Sequence, residues 1–135
     1  MYKHILIPIA LDHEHKASDA VEIAETLKDE GGRITVLTVV EQVPPYISQY
    51  LPEGQIEKNV EDARIALKAD LGGIKGVEVD VIRGYPGPAI VDYAREMDID
   101  LIVIASHRPG LQDYFLGSTA ARVVRHADCS VHVLR

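Results

Sequence analysis

Five short apolar runs alternate with segments of helical spacing, and that alternation restricts the fold more than any other feature of the chain. The runs are Ile5 to Ile9, Arg33 to Val40, Val77 to Ile82, Asp100 to Ala105 and Ser130 to Leu134. Their length and β-branched content predict strands. The first, second and fourth are nearly continuous, as strands covered on both faces are. Between them, apolar residues recur every three or four positions. Ala17, Ala20, Val21, Ala24 and Leu27 mark a first helix, which Gly31-Gly32 is expected to stop. Ile56, Val60, Ala63, Leu67 and Leu71 mark a second, stopped by Gly72-Gly73. Ala89, Ile90, Tyr93, Ala94 and Met97 mark a third, with Pro88 at its first position. Ala120, Val123, Val124 and Ala127 mark a fourth.

The order β-α-β-α-β-α-β-α-β predicts an α/β protein. Strict alternation calls for a parallel sheet, right-handed crossovers and helices on both faces, giving three layers. The 135 residues suit one domain, 1–135, with one core. No repeat or linker interrupts it. Glu41 to Gln55 is the one long irregular stretch. Its prolines exclude a central strand or helix, and its length suggests a surface flap.

Charge and cysteine content narrow the function classes. A net charge of -7 gives no general attraction to nucleic acid or anionic lipid. The single cysteine, Cys129, excludes an intrachain disulfide and fits a reducing, cytoplasmic setting. The apolar segment after Met1-Tyr2-Lys3-His4 is too short for a signal peptide. No run approaches the ~20 apolar residues of a membrane helix, so no membrane insertion is expected.

In open parallel sheets, ligands bind beyond the carboxyl ends of the strands where the strand order reverses. Two such ends carry suitable residues: Pro8-Ile9-Ala10 after the first strand, and Ala105-Ser106-His107-Arg108 after the fourth. The second end leads through a loop of about ten residues, Gly110 included, to Gly117-Ser118-Thr119 at the start of a helix. Unpaired N–H groups and a partial positive charge make a helix start suitable for phosphate. Gly117 permits close approach, the Ser118 and Thr119 hydroxyls add donors, and Arg108 can supply a planar cation. The plainer alternative is that Ser118 only caps the helix. Neither a GxxxxGK[ST] loop nor a GxGxxG fingerprint is present, and Gly84-Tyr85-Pro86-Gly87 reads as a turn.

The opening MYKHILIPI and the ending IASHRPGLQDYFLGSTAARVVRHADCSVHVLR resemble the universal stress protein family, in particular its F- and G-type members. Length and element order agree, so the resemblance covers the whole chain. It implies the adenine nucleotide alpha hydrolase-like fold, with a five-stranded parallel sheet of order 3-2-1-4-5. It also implies bound ATP, with any role for Mg²⁺ open. Adenine would lie against the backbone of Val39, over a floor of Pro8 and Ile9. Nucleotide-binding members carry Gly-x2-Gly-x9-Gly-[Ser/Thr]. Here Ala105 and Arg108 stand at the first two glycines, the last spacer is one residue shorter, and Gly117-Ser118 alone matches. Ala10 replaces an aspartate usual in the family. The resemblance further implies a homodimer, or a larger homo-oligomer, through residues 130–134. The exposed edge expected of that last strand would favour such pairing.

Other residues carry blander readings. Asp12-His13-Glu14-His15 lacks an evident third metal ligand and reads as a solvated loop. His107 orients a phosphate, acts as an acid or base, or anchors its loop. His126 suits a helix C-terminus, and Cys129 reads as a passive, partly buried thiol. Tyr46 and Tyr50 cover a ligand or pin their own loop. Three functions stay open at this level. The favoured one is an ATP-binding stress-response regulator or sensor with an unknown protein partner and at most slow ATP turnover. The others are a dimeric interaction module with a vestigial pocket, and an enzyme using ATP to activate a substrate. No acid–base pair or activated nucleophile supports the last.

Overall fold

The computed structural model describes residues 1–11, 17–106 and 116–135. It contains one parallel sheet of β1 (Tyr2–Pro8), β2 (Lys28–Glu41), β3 (Glu78–Gly84), β4 (Leu101–Ala105) and β5 (Ser130–Leu134), in the order β3-β2-β1-β4-β5. The helices are α1 (Ala17–Leu27), the single turn α2 (Pro45–Ser48), α3 (Gln55–Leu71), α4 (Pro86–Glu96) and α5 (Ser118–His126).

The alternation of side chains along each strand sorts the core into two layers. Ile5, Ile7, Ile34, Val36, Leu101 and Val103 face α1 and α3, meeting Ala20, Ala24, Leu67 and Leu71. Leu6, Leu37, Ile102 and Ile104 face α4 and α5, meeting Ile90, Ala94, Ala120 and Val123. Small residues on α1 let it lie close to the sheet. With α1 and α3 on one face and α4 and α5 on the other, the crossovers take the right-handed course expected of βαβ units.

Polar pairs occupy the amino end of the α4 face. The ring of His4, 6% exposed, lies 2.9 Å from the Thr35 hydroxyl. Burial first, then the Arg33 cation, holds the His4 pKa below that of a free imidazole. Tyr93 donates its hydroxyl to Asp80 at 2.8 Å, and burial followed by that carboxylate raises its pKa. Arg33 grips Glu78 through two hydrogen bonds of 2.9 and 2.8 Å.

Four local expectations need correction. Gly31-Gly32 does not stop α1, which ends at Leu27; the chain enters β2 at once. The glycines form an irregularity in β2, between the pairs Tyr2–Lys28 and His4–Arg33. Gly31 has φ +79°, and a Cβ on Gly32 would sit 2.6 Å from Lys28 Cγ. The start of the pairing with β1 therefore uses the conformational freedom that would otherwise cap a helix. Secondly, α4 begins at Pro86, with Tyr85 at its N-cap, so Gly84-Tyr85-Pro86-Gly87 leads into a helix and Pro88 is not its first residue. Both prolines fall in the first turn, whose N–H groups lack intrahelical partners anyway. Thirdly, Asp100 precedes β4 and acts as a clasp: its carboxylate accepts the Lys3 and His4 amides at 2.8 and 3.0 Å. Finally, the flap contains the short α2, with Pro45 in its first turn.

Candidate functional site

Strand order reverses between β1 and β4, and a cavity of about 670 Å³ opens above their carboxyl ends. Its volume falls within the ~300–1,000 Å³ usual for small-ligand sites. The floor is made where β1 leaves the sheet. The Ile9 amide donates to the Leu37 carbonyl at 2.8 Å, and the Ile9 carbonyl accepts the Thr38 hydroxyl at 2.7 Å. Beyond Ile9 the chain parts from β2, leaving Ala10 exposed at the rim.

This departure has a consequence for Val39. Within a parallel strand, the N–H and C=O of one residue point to the same side, and the side alternates. Leu37 bonds toward β1, so the peptide groups of Val39 point that way too, into the space β1 has vacated. Val39 lines the cavity there. The strand end thus presents one donor and one acceptor side by side.

At the other end of the cavity stands the start of α5. Gly117 is its N-cap and Ser118 its first helical residue, so Ser118 is not the cap, and among the described residues no side chain caps the helix. Gly117 has φ −59° and ψ 155°, a conformation open to any residue. What glycine contributes here is the absence of a side chain. The Gly117 amide donates to the Ser106 carbonyl, and the Ser106 amide donates to the Leu134 carbonyl at 2.8 Å. Ser106, 1% exposed, therefore fastens the helix start to the ends of β4 and β5. The first bond inside α5 runs from the Ala121 amide to the Gly117 carbonyl at 2.8 Å. Helix geometry leaves the amides of Ser118, Thr119 and Ala120 without intrahelical acceptors.

Of the residues singled out in the sequence, Pro8, Ile9, Ala10, Val39, Ala105 and Thr119 line this one cavity. Gly117 and Ser118 stand at the adjoining helix start, while Ser106 is buried behind the wall. His107, Arg108 and Gly110 lie outside the described residues, as does the Asp12-His13-Glu14-His15 run. Among the described residues, no group of three or more His, Cys, Asp or Glu could hold a metal ion.

Several wall residues escaped the sequence reading. Thr38 braces the floor, and Glu41 places a carboxylate at the β2 end. Asn59 and Ala63, one turn apart on α3, form one side wall, and Pro86 and Ile90 of α4 form another. The Asn59 and Ala63 spacing was the available signal, because i and i+4 share a helix face. Elsewhere, Cys129 is partly buried and burial raises its pKa, as suits an unreactive thiol. Tyr46 and Tyr50 are 69% and 81% exposed. Among the described residues, no helix is long and apolar enough to cross a membrane.

Residues 1–135 match the sequence pattern of the universal stress protein family. A universal stress protein of Thermus aquaticus is 30% identical over 139 residues, covering all of both chains. Universal stress protein G of Salmonella typhimurium is 28% identical, again over all of both. The G-type relative thus matches no more strongly than the Thermus one. Universal stress protein UspA from Lactobacillus plantarum superposes with a TM-score of 0.73 at 26% identity, over 99% of this chain and 98% of that one. More distant structures share the fold and carry nucleotides. They are a universal stress protein with cAMP (TM-score 0.62, 19% identity, 99% and 97% coverage), one from Archaeoglobus fulgidus with dAMP (0.56, 19%, 99% and 98%), and one from Arabidopsis thaliana with AMP (0.61, 15%, 98% and 90%).

Proposed function

The chain belongs to the universal stress protein family, and from that premise we propose that it binds ATP in the cavity at the β1–β4 switch point. The observation that carries this reading is the pairing, across one cavity, of an adjacent donor and acceptor at Val39 with a helix start at Gly117-Ser118 that no described side chain caps. The first suits the edge of a base and the second suits phosphate oxygens. Charge sets the direction. The Glu41 carboxylate at the β2 end repels phosphates, while the positive end of α5 attracts them. Apolar Pro8, Ile9 and Ile90 supply the faces against which a flat ring packs. Distant relatives holding AMP, dAMP and cAMP support the ligand class.

The protein then acts as a nucleotide-dependent regulator or sensor in stress response, with at most slow ATP turnover, working through a homodimer and a protein partner. Within the described residues, the cavity holds no activated nucleophile and no acid–base pair. A specific observation favours one rival, the interaction module with an empty pocket: Ala10 leaves the rim without the carboxylate usual in the family. Isothermal titration with ATP and AMP, with and without Mg²⁺, decides between them. Micromolar binding that favours ATP is expected. Absence of binding by both nucleotides would refute the proposal and leave the interaction module.

A further inference from the structure

We infer that two copies of this chain pair through β5 with His132 opposite His132 of the partner subunit, and that the two facing imidazoles form a site for a divalent transition-metal ion; the inference rests on the homodimer reading above. The sheet ends in β3 on one side and in β5 on the other. The edge of β3 is guarded. Gly84 bonds toward β2, because its carbonyl accepts the Gln42 amide at 3.1 Å. Alternation then turns the Val81 amide outward. The Asp80 carboxylate accepts that amide at 2.9 Å and is itself held by the Tyr93 hydroxyl at 2.8 Å. Glu78, Asp80 and Arg83 also place charge along the strand. The β5 sequence, SVHVL, carries no Asp, Glu, Lys or Arg, so a second copy meets no like charge along it.

Which groups point outward sets the register. The Leu134 carbonyl accepts the Ser106 amide at the end of β4. Leu134 and, by alternation, His132 and Ser130 therefore bond toward β4. The N–H and C=O of Val131 and Val133 point to the open side. A parallel pair is asymmetric, so two copies related by a two-fold axis meet antiparallel. With the axis at His132, Val131 of each copy opposes Val133 of the other, and every outward group of the strand is paired. An axis at Val131 or Val133 sends half of those groups to Cys129 or Arg135, which lie outside β5. His132 then faces its counterpart as a non-hydrogen-bonded pair, with Cα atoms about 4.5 Å apart. Val131 and Val133 pack on the α4 side of the sheet and Leu134 on the α1 side. His132 shares the α1 side with Leu134 and is exposed there. Two imidazoles so placed can each give one nitrogen to a single ion. Zn²⁺, Ni²⁺ and Cu²⁺ accept this ligand, and water completes the shell. Each chain brings one ligand, so the site exists only in the pair.

Sedimentation velocity of the full chain, stripped with a chelator and then supplied with Zn²⁺ alone, tests the inference. With free Zn²⁺ at roughly ten times its site Kd, the dimer should form at about tenfold lower protein concentration. His132→Ala should abolish that shift while metal-free dimerisation persists, because the backbone bonds remain. Oxidation in a Cys129→Ser background reads the register separately. His132→Cys should give a disulfide-linked dimer, since the Cα spacing lies within the disulfide range. Val131→Cys and Val133→Cys should not, since neither position opposes itself. A Zn²⁺ shift that survives His132→Ala would overturn the inference, as would a dimer that forms without responding to Zn²⁺. Cross-linking through Val131→Cys or Val133→Cys in place of His132→Cys would overturn it through its register. A wild type that stays monomeric with and without Zn²⁺ would sink the homodimer reading itself.

Discussion

Gly87→Ala should loosen the contact that aligns α5, although the same change in an isolated helix would be favourable. Gly87 is buried in the first turn of α4. A Cβ placed there would lie 2.8 Å from Arg122 Cγ and 3.0 Å from Arg122 Cβ. The Arg122 side chain is exposed and can rotate its Cγ away, but its Cβ is fixed to the α5 backbone. Ordinary carbon contacts begin near 3.5 Å, so the helices must part by about half an ångström. Overpacking of this kind costs about 1–3 kcal/mol. Replacing glycine in a helix recovers up to about 1 kcal/mol, and less in the first turn. The net expectation is a loss of about 1 kcal/mol, or roughly half a molar in the urea midpoint. If α5 holds the phosphates, as proposed, ATP affinity should fall along with stability. Urea unfolding and ATP titration of the same preparation measure both. In an Arg122→Gly background the stability cost should shrink, because the fixed Cβ contact at 3.0 Å is gone along with Cγ. An unchanged or raised midpoint in Gly87→Ala would show that the two helices have slack at this contact, and the reasoning would fail.

Two further outcomes follow from the same geometry. Gly117→Val adds a side chain at the N-cap, where φ of −59° tolerates one without backbone strain. ATP titration should show at least a tenfold loss, with about 1 kcal/mol of stability lost for a poor cap; unchanged affinity would remove phosphate from this helix start. His4 is held neutral by burial and by Arg33, against the smaller upward pulls of Glu78, the Met97 backbone and Asp100, while Thr35 takes its Nε2. A folded-state pKa below the unfolded value of 6.5 means that the unfolded chain binds the proton first. Stability is therefore complete above that value and declines as pH falls through it toward the folded pKa. Thermal unfolding between pH 8 and 5 should show a decline that His4→Gln reduces, and identical pH slopes in the two proteins would exclude His4 as the source.

The sheet and its two layers were legible because strand runs and helical spacing are local patterns. The strand ends that line the cavity were legible because the order of elements fixes where a parallel sheet reverses. Val39 came from the family resemblance, whereas Pro8, Ile9, Ala10 and Ala105, with Thr119 from the helix start, were legible in the residues themselves. Their neighbours on α3 and α4 were not. Ala63 read as core, since a small apolar residue on a helical stripe serves a core and a cavity equally well. Asn59 belongs to no motif, and its place in the wall depends on α3 lying over the end of β2. The glycine pair at 31–32 was misjudged for a related reason. Its conformation answers to Tyr2 and Lys28 across the sheet, not to the helix beside it in sequence.

The hydrogen bond from the Gly117 amide to the Ser106 carbonyl closes a stem. Ser106 and Gly117 are thereby held as a fixed pair, much as the last base pair of a hairpin is held whatever loop it closes. The position of the helix start is then set by that pair and not by the number of residues that separate its members. A spacer one residue shorter than the general family pattern leaves Gly117 anchored at the ends of β4 and β5 all the same.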